Sequence, residues 1–112
     1  MDAKYQKITE QDFRKRIGSG LHVVEFSAPW CGPAKDSNFF EEIMPHRYNV
    51  DFCVCDIEEN PKISSQLGVF SVPTWVFFED GKEVDRFLGY DARREFLKVL
   101  KQRRTSGRPN RT

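Results

Sequence analysis

Three cysteines, a glutamate inside an apolar run and a proline ahead of a strand are the residues of this 112-residue chain with types suited to covalent or proton chemistry. Cys31 lies in Trp30-Cys31-Gly32-Pro33, after the Val-rich run Leu21–Ser27 and before a helical pattern beginning at Ala34. A cysteine at a helix N-terminus faces backbone N–H groups without helical partners and the positive end of the helix dipole. Both favour thiolate over thiol and can lower the pKa from ~8.5 to ~3.5–7.5. Gly32 allows a close turn, and Pro33 suits a first helical turn, where its missing N–H has no partner to lose. Trp30 can shield the sulfur and keep its indole N–H at the surface. A thiolate so placed attacks disulfides. Taken alone, Cys31 reads equally well as a small buried hydrophobe; its flanking residues favour the reactive site.

Cys53 and Cys55 alternate on one strand and share a face, ~6.5–7 Å apart, at the edge of disulfide reach. They read as two buried thiols filling core volume, with a regulatory role as the alternative. Glu25 interrupts a buried apolar run, so its charge needs a partner or its pKa must rise; a strand-end glutamate reaching solvent is the alternative. His22 and His46 lack metal-ligand spacing, and no CxxC pair offers a zinc site.

These residues need a scaffold. Leu21–Ser27, Val50–Ile57 and Thr74–Phe78 read as strands, with Glu83–Leu88 returning antiparallel after an Asp80-Gly81 turn. Helical patterns follow a Thr9 N-cap with Asp12 in the first turn, run from Ala34 to Met44, open at Asn60-Pro61, and close the chain after an Asp91 cap. Tyr5–Ile8 reads as a weak edge strand. The order (β)αβαβαββα calls for an α/β fold with a central mixed sheet flanked by helices on both faces. In such sheets ligands gather beyond the carboxyl ends of strands, where Leu21–Ser27 leads into Cys31.

The stretch from Val23 to Lys35, containing Pro29-Trp30-Cys31-Gly32-Pro33-Ala34-Lys35, resembles the active-site segment of the thioredoxin family. So does Val72-Pro73-Thr74, with Gly89 sixteen residues beyond the proline. The match runs from about Tyr5 to Arg103. It implies the thioredoxin fold and a protein thiol–disulfide oxidoreductase with Cys31 as nucleophile. It further implies a substrate groove of Trp30, Gly32, Pro33, Val72, Pro73 and Gly89, with Pro73 in the cis form, and places Glu25 where the family carries a buried acid that takes the resolving cysteine's proton. Val54 stands where many members place a lysine beside that acid. The pattern departs at Ala34, which occupies the resolving-cysteine position. Cys31 can then form a mixed disulfide with a substrate, and the second attack that releases it is missing. Ala34 among neighbours that keep the dithiol pattern favours an engineered trapping or inactive form. A natural monothiol enzyme rescued by glutathione, or a non-catalytic binding or assembly module, is the alternative. Asp36, Ser37 and Asn38 make the following helix more polar than the family norm and keep those alternatives open. The implied partners are protein disulfide substrates and, for a dithiol form, a thioredoxin-reductase-type electron donor. No cofactor is expected.

Composition sets the outer bounds. Hydrophobic residues make up 38% and charged residues 31%, ordinary for a soluble domain. No apolar run approaches a membrane span, and the charged N-terminus lacks a signal-peptide core. A cytoplasmic monomer, without membrane or nucleic-acid partners, is the expectation. An odd cysteine count argues against a disulfide-stapled scaffold. Residues 1–91 carry 10 basic and 16 acidic groups, net −6, and residues 92–112 carry 8 basic and 1 acidic, net +7. The basic end reads as a helix with cations near its negative end, then a tail. It has no aromatic beyond Phe96 to stack a base. The expected division is a domain over 1–104 and a flexible basic tail over 105–112.

Overall fold

A computed structural model describes residues 6–28, 50–89 and 93–106. Their elements in chain order are β1 (Gln6–Lys7), α1 (Phe13–Arg16), β2 (Leu21–Ser27), β3 (Asp51–Asp56), α2 (Pro61–Gln66), β4 (Thr74–Glu79), β5 (Lys82–Leu88) and α3 (Arg93–Ser106). The sheet order is β1-β3-β2-β4-β5. β1 and β2 run parallel to β3, while β4 is antiparallel to both β2 and β5. The mixed sheet of the thioredoxin fold is therefore present, with the parallel half on one side of β2 and the hairpin on the other.

Strand alternation divides the apolar residues between two faces. Val24, Phe26, Cys53, Cys55, Val76 and Phe78 pack with Phe13 and Ile17 near α1 and with Ile63 of α2. Val23, Phe52, Val54, Trp75 and Phe77 pack with Phe96 and Leu100 of α3. Aromatic contacts hold both layers: Phe13 meets Phe78 edge to face at 5.5 Å, and Trp75 meets Phe96 at 5.4 Å. β2 is buried along nearly its whole length. A central strand covered on two faces needs such a continuous apolar run.

Asp80 and Gly81 both have positive φ, 52° and 87°, as a type I′ hairpin turn requires. One irregularity follows: the β4–β5 register shifts between Phe77 and Phe78, which pair with Asp85 and Glu83. Val84 is left over, a β-bulge that increases local twist.

Local capping differs from the sequence expectation in two places. The regular helix α1 begins at Phe13, not just after Thr9, and Asp12 precedes it. The Asp12 carboxylate accepts the Thr9 N–H at 2.9 Å and the Thr9 hydroxyl at 3.0 Å. These bonds close a turn over residues 9–12 and delay the helix, because a short polar side chain competes locally for backbone partners. At α2, Asn60 precedes Pro61 as expected, yet its side chain makes no cap bond. Its amide instead accepts the Glu10 N–H at 3.0 Å and donates to the Asp56 carbonyl at 3.0 Å. The long-range pairing ties the chain before α1 to the β3–α2 connection. α3 continues through Ser106. The helical pattern over 34–44 and the Asp91 cap lie outside the described residues.

Candidate functional site

The site is approached through the sheet register. Phe26, near the end of β2, pairs with Thr74 at the start of β4, and Thr74 pairs with Leu88 at the end of β5. Ser27 pairs with Asp56 at the end of β3, and its carbonyl accepts the Ile57 N–H at 2.9 Å. One end of the sheet thus gathers the segment leading toward Cys31, the Val72-Pro73 segment and Gly89. Trp30, Cys31, Gly32, Pro33 and Ala34, like His46, lie outside the described residues; the strand that delivers the first five and the segments they were expected to meet lie within them.

The Val72–Pro73 bond is cis. The Pro73 carbonyl accepts the Gly89 N–H at 2.8 Å, joining two expected groove segments sixteen residues apart. Gly89 has φ +82°, and a Cβ there would meet nothing within 4 Å. It therefore combines a backbone conformation that favours glycine with open space beside it. Among the described residues, Val72 makes no backbone hydrogen bond. The Thr74 hydroxyl donates to the Ser71 carbonyl at 2.8 Å, fixing the approach to the proline.

Glu25 is fully buried. Its register neighbours are Trp75 on β4 and Val54 on β3, and strand parity places it on the α3 face of the sheet. Val54 brings no cation. Neither carboxyl oxygen receives a hydrogen bond of good geometry among the described residues, although the nearby Trp75 indole favours the charged form. Burial outweighs the indole and pushes the Glu25 pKa up to about 7. A carboxyl that titrates near neutrality in an apolar setting can hold or accept a proton.

Cys53 and Cys55 are free, completely buried thiols on the opposite face from Glu25. Burial pushes both pKa values up to about 12, and nearby acidic groups add to the rise. At neutral pH they are thiols, poor nucleophiles, in keeping with core packing. The Cys53 thiol lies 3.4 Å from the Asp51 carboxylate.

At the far end of β2 stands a separate polar group. His22 Nε2 lies 2.7 Å from the Ser19 carbonyl and Nδ1 lies 2.9 Å from the Asp51 carboxylate. Both partners are acceptors, so the ring serves both only when both nitrogens carry hydrogen. Burial alone would raise the Asp51 pKa; hydrogen bonds from His22 and Cys53 and the Arg16 guanidinium bring it below the usual carboxylate value. This group pins the start of the sheet. Among the described residues, no cluster of three or more His, Cys, Asp or Glu side chains is arranged to hold a metal ion. No described helix is long and apolar enough to cross a membrane.

Sequence reasoning missed two features beside the site. Phe70 and Leu88 are large hydrophobic side chains left 83% and 56% exposed. Arg86 reaches from β5 to the Leu67 and Gly68 carbonyls, at 2.6 and 3.2 Å. Phe70 carried a visible signal, an aromatic residue in a loop between a helix and a proline. Arg86 carried none, because its partners are carbonyls nearly twenty residues away.

Residues 4–102 match the thioredoxin family model. Thioredoxin of Staphylococcus aureus is 34% identical over 96 residues, which are 84% of this chain and 92% of the relative. The solved thioredoxin of Malassezia sympodialis superposes with a TM-score of 0.77 at 30% identity, covering 89% of this chain and 90% of that one. The thioredoxin of Fasciola hepatica gives a TM-score of 0.75 at 30% identity, covering 88% and 97%.

Proposed function

Because the chain belongs to the thioredoxin family of thiol–disulfide oxidoreductases, we propose that it performs the first half of disulfide exchange and stops there. The Cys31 thiolate attacks one sulfur of a substrate disulfide. The substrate S–S bond breaks, a Cys31–substrate disulfide forms, and the departing thiolate takes a proton from solvent. In a dithiol relative a second cysteine would then attack the adduct. Ala34 has no sulfur, so the adduct persists until an external thiol attacks it. Either origin of Ala34, engineered or natural, leads to the same stalled chemistry. Cys53 and Cys55 do not replace it: both are buried, protonated and on the sheet face away from Glu25.

The supporting observation is the sheet register that brings the end of β2 beside Pro73 and Gly89. Trp30, Gly32 and Pro33 from the Cys31 segment, with Val72, Pro73 and Gly89, form the substrate groove. The Val72 backbone pairs with an extended substrate segment, and Gly89 lets that segment come close. Glu25 supplies a proton acceptor near neutrality with no resolving thiol to serve. Protein disulfides are the substrates, and a thioredoxin-reductase-type donor serves a form that carries both cysteines.

Intact mass after incubation of the reduced protein with a disulfide substrate tests this reading. One adduct per chain is expected, absent in Cys31→Ser and cleared by added glutathione. Ala34→Cys should restore catalytic reduction of insulin disulfides. An Ala34→Cys protein that stays inert, with no adduct on the parent chain, would replace the enzyme by a binding module.

A further inference from the structure

Phe70 is an aromatic side chain 83% exposed to solvent, on a segment whose backbone is held on both sides. Upstream, the Arg86 guanidinium donates to the Leu67 and Gly68 carbonyls and is itself gripped by both oxygens of Glu83, at 2.8 Å each. Val69, next to Phe70, is buried and donates its N–H to the Ser64 carbonyl at 2.8 Å. Downstream, the Ser71 carbonyl is bound by the Thr74 hydroxyl. The ring leans over Gly68, where a Cβ would lie 4.0 Å from its Cε2 atom. An exposed ring on an anchored backbone loses little conformational freedom when it is covered, which is what an anchor for a partner requires.

The occupant follows from the position. Val72, two residues on, has no backbone hydrogen bond among the described residues, and two residues of extended chain span about 6–7 Å. A segment pairing along Val72 therefore brings a side chain within reach of Phe70. Together, Phe70 and Leu88 offer an apolar area of a few hundred Å² at most, far below the roughly 1,200 Å² of a stable dimer. An exposed area that small suits a short, transiently bound segment.

We propose that Phe70 is a specificity residue, its ring receiving an apolar side chain of an extended, disulfide-bearing protein segment laid along Val72. The proposal rests on the disulfide-exchange reading of Cys31 and adds a preference to it. The attack on the disulfide is unchanged; apolar contact raises occupancy of the attacking complex.

The test uses the chain as it stands, with reduced Cys31, and symmetric disulfides of two hexapeptides, so that attack on either sulfur yields the same adduct. One peptide carries Leu two residues before its cysteine and the other carries Ser. The Leu peptide should form its adduct about tenfold faster, the order that partial burial of a Phe–Leu contact supplies. Phe70→Ser should erase the preference while leaving the rate with hydroxyethyl disulfide unchanged, and Phe70→Leu should keep most of it. Equal rates for the two peptides on the parent chain, or a preference that survives Phe70→Ser, would overturn the proposal. So would equal slowing of every disulfide, or sedimentation showing a dimer that Phe70→Ser abolishes. If even hydroxyethyl disulfide forms no adduct, the reading of Cys31 itself fails, and the selection proposal falls with it.

Discussion

Glu25 carries a cost that the rest of β2 does not. Its pKa, near 7 against an ordinary 4.5, means the unfolded chain ionises before the folded one as pH rises. The folded state then binds more protons between these values, so stability falls with rising pH across that window and stays lower above it. The difference is on the order of 3 kcal/mol. Glu25→Gln should flatten this dependence: urea unfolding at pH 5 and pH 8 should differ markedly for the parent chain and much less for the variant. The cysteines allow a sharper test. With Cys53 and Cys55 buried and protonated at neutral pH, iodoacetamide at pH 7 should modify one thiol in the folded protein and three in urea. Modification of either core thiol without denaturant would contradict their assignment to the interior.

Among the elements, the β4–β5 hairpin was the most legible. Asp80-Gly81 between apolar runs specified its turn, and the positive φ values of both residues agree. A Cβ on Gly81 would meet only ordinary contacts, 3.9 Å from Gly18, so replacing Gly81 costs conformation and not space. Gly81→Ala should destabilise by about 1 kcal/mol or more, read as a lower urea midpoint with an unchanged slope. Helix starts were less legible. Thr9 and Asp12 have the residue types of an N-cap and a first turn, but the Asp12 side chain turned back onto Thr9. Asn60 has the type of a cap and spends its amide on Glu10 and Asp56 instead. A short polar side chain can bond a local backbone group, as Asp12 does, or a distant one, as Asn60 does with Glu10, and residue type does not name the partner.

At the scale of the whole molecule, one sheet carries two aromatic layers. Phe13 packs with Phe26 and Phe78 on one face, and Phe96 with Trp75, Phe77 and Phe87 on the other. Either Phe13→Ala or Phe96→Ala should cost about 3–5 kcal/mol. Because the two rings belong to separate core clusters on opposite faces of the sheet and share no aromatic partner among the described residues, conservative Phe→Leu changes at both sites should add within about 0.5 kcal/mol. Both single variants should still unfold in one transition followed by circular dichroism and by fluorescence, since the layers are backed by the same strands. The amino-acid sequence alone determined the alternation that builds these layers, the turn residues, the cysteine at the end of a buried strand and the alanine three residues beyond it. Those are local properties of residue type and spacing. Only the tertiary structure decided that Glu25 meets Trp75 and Val54 and, among the described residues, no cation, that Gly89 bonds Pro73, and that Arg86 holds the loop from which Phe70 projects. Each joins residues distant in sequence, and strand register together with packing chooses such partners.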